Sequence, residues 1–257
     1  MEIFWEFINN IWDLKLLILI GFIAGIINTI AGGGSLLTLP MLIFFGLPPA
    51  IANGTNRIAI LIQNFFSTAG FKSKGINTFP FSIWMGISAL FGAIVGAYLG
   101  AIYFKGEIFN KILAIVMVII VLYMIFKPKA LLQIEAERIT GKYFWFLNIA
   151  FFFIGIYGGF IQAGTGIFII LALNSIGKIS LVKSNAIKAV VVILYTLSAL
   201  IIYAYNDKIN YSIGFTLAIG NSVGAWFASR YSVKKGEPLV RWFLIIMVSI
   251  MAVKLWF

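Results

Sequence analysis

The chain has 257 residues, of which 62% are hydrophobic and only 11% are charged, whereas an ordinary soluble domain has roughly 45–50% apolar and about 25% charged residues. This composition excludes a water-soluble globular fold, because too few charged side chains exist to cover its surface. The sequence contains no Cys and no His, which excludes disulfides, the usual zinc and haem ligands and imidazole proton relays. We therefore expect a protein embedded in a lipid bilayer, without a cofactor.

The net charge of +11 does not indicate a nucleic-acid partner, because the basic residues are scattered as short pairs between long apolar runs. That distribution is typical of membrane topology. Glu2, Glu6 and Asp13 precede the first lysine, Lys15, so the amino terminus lacks the positive region of a secretory signal peptide. We therefore expect the first apolar segment to remain in the mature protein.

Apolar runs bounded by charges, Pro and Gly predict an all-α polytopic membrane protein with ten helical segments. The first five segments cover residues 14–31, 35–46, 51–71, 79–104 and 108–126. The other five cover residues 144–163, 166–177, 182–205, 211–232 and 239–257. We interpret residues 1–126 as a first membrane repeat, 127–142 as a hydrophilic linker and 143–257 as a second membrane repeat.

The two halves share the spacing of their glycine and amide residues, which indicates a duplication. The corresponding positions are Gly21 with Gly155, Gly25 with Gly159, Asn28 with Gln162, Gly92 with Gly220, and Gly96 with Gly224. The second segment of each half has about 12 residues, or roughly 18 Å of helix, which is too short to cross a hydrocarbon core of about 30 Å. We therefore predict that each half is a broken helix pair followed by three spanning helices.

Three spanning helices per half make the two halves inverted relative to each other. With this topology, twelve Lys and Arg residues fall on one side of the membrane and five on the other, apart from two cations inside the segments. Parallel halves would divide the same residues nine to eight. The larger bias agrees with the positive-inside rule, so we expect inverted halves, a cytoplasmic linker and both termini outside.

Two cations, Arg57 and Lys188, lie inside apolar segments at equivalent positions of the two halves. All eight acidic residues fall in termini or loops, which disfavours a carboxylate relay for protons or sodium. A charge at the centre of a bilayer costs a few kcal/mol or more unless it finds water or a partner. We favour a bound anion as that partner. The alternative is that each cation extends to the nearer interface or caps backbone carbonyls.

A glycine run in each half separates a long apolar segment from a short one. Helix breaks there would expose backbone N–H groups, with Ser35 and Thr165 as expected caps, and would suit an anion at mid-depth. The alternative is that these glycines only permit close helix contact. The candidate substrate-binding residues are Asn28, Gly32, Gly33, Gly34, Ser35, Asn53, Thr55, Asn56, Arg57, Gln162, Gly164, Thr165, Gly166, Asn185 and Lys188.

Other polar and small residues within the segments are weaker candidates. A pair of amides such as Gln63 and Asn64 can simply tie neighbouring helices together. For Gly92, Gly96 and Gly100 we favour close helix contact over a binding role.

The motifs of this chain resemble those of the TauE/SafE family of sulfite and organosulfonate exporters over nearly the whole length. They are Gly-Gly-Gly-Ser at 32–35 with Pro40 following, Gly-Thr-Asn at 54–56, Gly-x-Gly at 164–166 and Asn-Ala-x-Lys at 185–188. This chain has Asn56 where the family's usual residue after Gly-Thr is Ser. The resemblance implies a permease for small sulfur-containing anions in the plasma (inner) membrane of a prokaryote.

The resulting hypothesis is alternating access, in which the two halves rock around an anion held by Arg57, Lys188 and the short helices. A potential of 100 mV, negative inside, drives each negative charge outward by about 2.3 kcal/mol, so export needs no coupling ion. Three alternatives are a sodium- or proton-coupled anion importer, a membrane scaffold and an integral-membrane enzyme at the lipid interface. We expect no enzyme, because the sequence offers no nucleophile, base or metal-binding constellation in reach of that interface.

Overall fold

The computed structural model describes residues 11–102, 106–126, 136–231 and 237–256. Within these ranges the secondary structure is entirely helical, which confirms the predicted all-α fold. The helices are α1 (Ile11–Ala31), α2 (Ser35–Phe44), α3 (Pro49–Lys72), α4 (Phe81–Ile102), α5 (Glu107–Phe126), α6 (Gly141–Phe160), α7 (Thr165–Ser175), α8 (Leu181–Tyr205), α9 (Tyr211–Tyr231) and α10 (Glu237–Trp256). Residues 127–135 of the predicted linker lie outside the described residues.

The described helices include five that are long and apolar enough to cross a membrane, namely α1, α4, α5, α6 and α8. Their outward faces carry large apolar side chains such as Phe91, Ile119 and Phe153, which are 59%, 54% and 63% exposed. Lipid requires such an apolar surface, and helices satisfy all of their interior backbone groups within one segment. Many polar side chains, such as those of Asn53, Arg57 and Gln63, are buried between helices.

Most helix boundaries fall within a few residues of the predicted ones, and the differences have local causes. α3 begins at Pro49, because a proline in the first turn needs no backbone donor and has the helical φ angle already. α6 ends at Phe160 rather than at 163, because Gln162 (φ 67°) and Gly164 (φ 73°) adopt left-handed backbone conformations. α2 ends at Phe44, two residues before the predicted limit, and Gly46 (φ 88°) then turns the chain.

The two halves of the chain are interleaved. Helix α4 of the first half packs against α6 and α8 of the second, and α9 of the second half packs against α1 and α3 of the first. The pairs α3–α8 and α5–α10 also join the two halves. Exchanging α1–α5 with α6–α10 leaves this set of contacts unchanged, as expected for a duplicated sequence.

Glycines make the contacts between interleaved helices close. A side-chain carbon at any of four equivalent glycines would collide with a backbone carbonyl oxygen of the neighbouring helix. The pairs are Gly92 with Phe152, Gly96 with Ile156, Gly220 with Ile18, and Gly224 with Phe22. Gly100 lies similarly against the carbonyl of Phe160. The predicted role of the Gly92, Gly96 and Gly100 series in close helix packing is therefore confirmed.

Helices α3 and α8 run antiparallel to each other. The amide of Asn53, near the start of α3, donates to the hydroxyl of Tyr203 near the end of α8 at 2.7 Å. Thr68 and Phe71, near the end of α3, line the same cavity as Ala186 near the start of α8. Arg57 and Lys188, which lie in the amino-terminal halves of α3 and α8, are therefore displaced from each other along this helix pair.

Candidate functional site

The two glycine breaks meet at the centre of the molecule, although they are far apart in the sequence. A side-chain carbon on Gly32 would lie 2.5 Å from the carbonyl carbon of Gly166, and one on Gly166 would lie 2.6 Å from the carbonyl oxygen of Gly32. Gly32 also has a left-handed backbone (φ 77°), which disfavours a side chain there. The starts of the short helices α2 and α7 are therefore neighbours.

The prediction that Ser35 and Thr165 cap the short helices is wrong, since neither α2 nor α7 has a side-chain cap. Gly34 and Gly164 occupy the capping positions, so the two hydroxyl residues already lie within the first turns. Both hydroxyls instead donate to the carbonyl oxygen of Gln162, at 3.2 Å from Ser35 and 2.8 Å from Thr165. Ser35 also accepts the Gly164 N–H at 3.1 Å, which ties one break to the other.

Arg57 is fully buried against the carboxyl-terminal end of α6. Its guanidinium donates to the carbonyl oxygens of Gly158 at 3.1 Å and Gly159 at 2.5 Å, where the end of a helix carries partial negative charge. The same guanidinium stacks 4.5 Å above the ring centre of Tyr203. Its Nε has no hydrogen-bond partner in the described part of the chain, so Arg57 retains spare donor capacity.

Lys188 occupies the equivalent position in the second half and is 1% exposed. Its ammonium donates to the carbonyl oxygens of Asn28 at 2.5 Å and Thr29 at 3.3 Å, near the end of α1, and to Oδ1 of Asn185 at 2.7 Å. The amide of Asn185 in turn donates to the carbonyl oxygen of Ile30 at 2.9 Å. All three donors of this ammonium are therefore occupied.

Each cation thus caps the first helix of the opposite half. Of the two alternatives to a bound anion, extension to the nearer interface is wrong, because both side chains are buried. The capping of backbone carbonyls is what the structure shows for Arg57 and Lys188. Within the described residues no carboxylate is buried beside either cation, and carbonyl dipoles compensate only part of a full charge.

Amide side chains continue the cluster around Arg57. Asn53 donates to the carbonyl oxygen of Phe160 at 2.7 Å, and Oδ1 of Asn56 accepts from the hydroxyl of Thr38 at 2.7 Å. Nδ2 of Asn56 has no partner in the described part of the chain. Gln162 donates to the hydroxyl of Thr196 at 3.2 Å, whereas its Oε1 lacks a partner among the described residues.

Two of the predicted site residues face away from this cluster. The hydroxyl of Thr55 accepts the N–H of Asn210, just before α9, at 2.8 Å. Gly33 lies against the side chain of Leu244 in α10. We therefore assign Thr55 and Gly33 to helix packing, and we keep the remaining predicted residues as candidates.

Sequence reasoning missed several side chains that complete the cluster. They are Thr38 on α2 together with Tyr195, Thr196 and Tyr203 on α8. A signal for the tyrosines was present, because positions 188, 195 and 203 are spaced by seven and eight residues and so share one helix face.

Comparison with known proteins assigns the chain to a family. The family model described as sulfite exporter TauE/SafE matches residues 17–255. A probable membrane transporter protein of Haemophilus influenzae is 30% identical over 246 residues, which cover 94% of each chain. The probable membrane transporter protein YfcA of Escherichia coli is 28% identical over 94% of this chain and 89% of its own. No solved structure matches. The chain belongs to the sulfite exporter TauE/SafE family of membrane transporters.

Proposed function

We propose that this transporter exports a small sulfur-containing anion, such as sulfite or an organosulfonate, through the cluster between the two halves. The observation that carries the proposal is the pair of buried cations at equivalent positions, with no buried carboxylate beside them in the described residues. A fixed carboxylate would compete with an anionic substrate, whereas carbonyl dipoles leave positive potential at the site.

The free donors near Arg57 have the chemistry that an oxyanion requires. Nε of Arg57 and Nδ2 of Asn56 are both N–H donors without partners in the described residues. Charge-assisted hydrogen bonds from a guanidinium to an oxyanion are roughly twice as strong as neutral ones. We therefore place the first contact of the substrate at Arg57 and Asn56.

Lys188 has a different place in the mechanism. Because its three donors are occupied by the end of α1 and by Asn185, an anion reaches it only when one of these contacts opens. Binding at Lys188 therefore accompanies movement of α1 relative to α8. As the moving bodies we propose α1–α3 with α9 on one side and α6–α8 with α4 on the other, and the interleaved packing supports this division.

The proposed topology has inverted halves, a cytoplasmic linker and both termini outside. The twelve-to-five distribution of basic residues supports it, and so does the antiparallel packing of α3 against α8. Export in this orientation follows the membrane potential, since 100 mV contributes about 2.3 kcal/mol for each negative charge that leaves the cell.

Reconstitution into liposomes tests this function. We expect saturable flux of radiolabelled sulfite or of a small sulfonate. The flux should be faster when the compartment that receives the anion is electrically positive. Arg57→Met should abolish the flux. The matched control is Lys111→Met, which removes an exposed cation from α5 and should leave the flux unchanged. Absence of saturable flux for sulfite, sulfate, thiosulfate and small sulfonates would contradict the proposal.

A further inference from the structure

A second group of buried polar side chains lies on α3 and α9, two helices that pack against each other. We call it the polar seam, and it consists of Gln63, Ser67, Asn221 and Ser222. These residues are at most 5% exposed. Within this group, the side-chain oxygen of Asn221 also lies close to Gly21 of α1. Both amide atoms of Gln63 and Asn221 and both hydroxyl oxygens lack hydrogen-bond partners in the described part of the chain. Buried polar groups without partners destabilise a fold, so six such atoms on two packed helices require a reason.

The polar seam follows the length of the α3–α9 contact. Gly214 of α9 lies against Ile58 of α3, and Gly70 of α3 lies against Ser229 of α9. The two helices therefore run in the same direction. The residues of the polar seam fall between these two contacts along both helices.

One end of the polar seam reaches the Arg57 cluster. Asn56, Gln63 and Ser67 are spaced by seven and four residues, so they share one face of α3. Asn56 belongs to the cluster through its bond with Thr38. The stripe from Asn56 to Ser67 covers about 16 Å at 1.5 Å per residue, which is about half the thickness of the hydrocarbon core.

The other end of the polar seam reaches a basic surface. Lys72 at the end of α3 and Arg230 at the end of α9 are both exposed, and the side chain of Arg230 lies close to Gly70. Basic side chains at the mouth of a narrow route raise the local concentration of anions.

At the four equivalent positions, the interface between α8 and α4 has mostly apolar side chains. The repeat places Leu194 and Ser198 at the positions of Gln63 and Ser67, and Ala93 and Ile94 at those of Asn221 and Ser222. Leu194 packs against Gly86, and the hydroxyl of Ser198 donates to the carbonyl oxygen of Tyr195 at 2.9 Å. A purely structural need would be met in the same way in both interfaces. The difference therefore points to a task that only one of them performs.

We propose that the polar seam is the route along which the anion passes between the Arg57 cluster and the basic ends of α3 and α9. This inference rests on the proposed function. Neutral amides and hydroxyls donate hydrogen bonds to a passing anion without holding it as firmly as a fixed cation does. The α4–α8 interface stays closed, so the two equivalent interfaces do not conduct alike.

Single cysteines test the route, because the natural sequence has none. Ser67→Cys, Ser222→Cys and the matched control Ser198→Cys are reconstituted in membranes with both faces open to the reagent. They are treated with the anionic reagent 2-sulfonatoethyl methanethiosulfonate and measured by intact mass. We expect modification at positions 67 and 222, slowed by the unreactive anion methanesulfonate, and none at 198. Unmodified cysteines at 67 and 222, or equal modification at 198, would overturn the proposal.

A transport measurement gives a second criterion. Gln63→Leu installs the side chain that the second half has at Leu194. We expect it to lower sulfite flux about tenfold, the effect of one lost hydrogen bond to a charged group, while sulfite still stabilises the protein because Arg57 is intact. Wild-type flux in Gln63→Leu would overturn the proposal. If no anion stabilises the protein, the proposed function fails, whereas modification at 67 and 222 but not 198 would still support an aqueous route.

Discussion

Arg57 and Lys188 occupy equivalent positions in a duplicated chain, yet they differ in how completely their hydrogen-bond donors are used. Both cap the first helix of the opposite half. The guanidinium of Arg57 has an unused N–H in the described structure and lies on an aromatic ring, whereas the ammonium of Lys188 has all its donors occupied. The comparison teaches that one cation of a symmetric pair can keep donor capacity while the other spends all of its donors on neighbouring helices.

The largest effect is expected from Arg57→Met. Transport should disappear, and the carbonyl groups of Gly158 and Gly159 should lose their partner at a cost of about 1–3 kcal/mol each. Arg57→Lys is the control that separates charge from geometry, because it keeps the charge but not the planar donor array. We expect a folded protein with weakened anion binding. Flux and anion affinity in Arg57→Lys equal to those of the wild type would argue against a specific guanidinium contact.

Lys188→Met should act on stability first. It leaves the carbonyl groups of Asn28 and Thr29 unpaired in the interior, and a loss of about 2 kcal/mol lowers Tm by roughly 4–8 °C in a chain of this size. Thermal unfolding in detergent measures this effect. The comparison with Arg57 would break if Lys188→Met left Tm unchanged and abolished anion binding, because Lys188 would then be the primary contact.

A smaller effect is expected where the glycine breaks meet. Gly32→Ala places a side chain in a left-handed position, at a cost of about 1–2 kcal/mol, and against the backbone of Gly166. Gly46→Ala is the matched control, because Gly46 has a similar φ of 88° with nothing within 4 Å of the added carbon. Gly32→Ala should therefore lower Tm more than Gly46→Ala does. Equal shifts would show that the contact between the breaks contributes little.

Thr38→Val should have the smallest effect of this series. The change removes one hydrogen bond to Oδ1 of Asn56, which contributes about 0.5–1.5 kcal/mol. We expect a modest rise in the half-saturating anion concentration, since Asn56 loses its orientation. A titration of initial flux against substrate concentration measures it. If the half-saturating concentration stayed constant, Asn56 would not contact the anion in the bound state.

Local patterns predicted most of the secondary structure. Apolar runs between charges located the helices, and the matching spacing of glycine and amide residues indicated the duplication. The reason is that helix formation in lipid depends on length and hydropathy along one segment. The glycine runs were also recognised as breaks between a long helix and a short one.

Contacts between distant segments were harder to predict. Nothing in the local sequence around Ser35 shows that its hydroxyl bonds to the backbone of residue 162 rather than to its own helix. The exchange of α4 and α9 between the halves was missed for the same reason, since it depends on packing of the complete chain. Thr55 looked like a site residue because of its neighbours Asn56 and Arg57, but a step of 100° around the helix turns it toward α9.

The most direct measurement of the central claim is the thermal stability of the purified protein in sulfite, sulfate, thiosulfate and methanesulfonate, for the wild type, Arg57→Met and Lys111→Met. We predict that at least one of these anions raises Tm of the wild type and of Lys111→Met in a saturable manner, by about 2.7 kcal/mol of stability at 100 times Kd, and leaves Arg57→Met unchanged. An equal rise in all three proteins would contradict the account, because the anion would then bind away from the buried guanidinium.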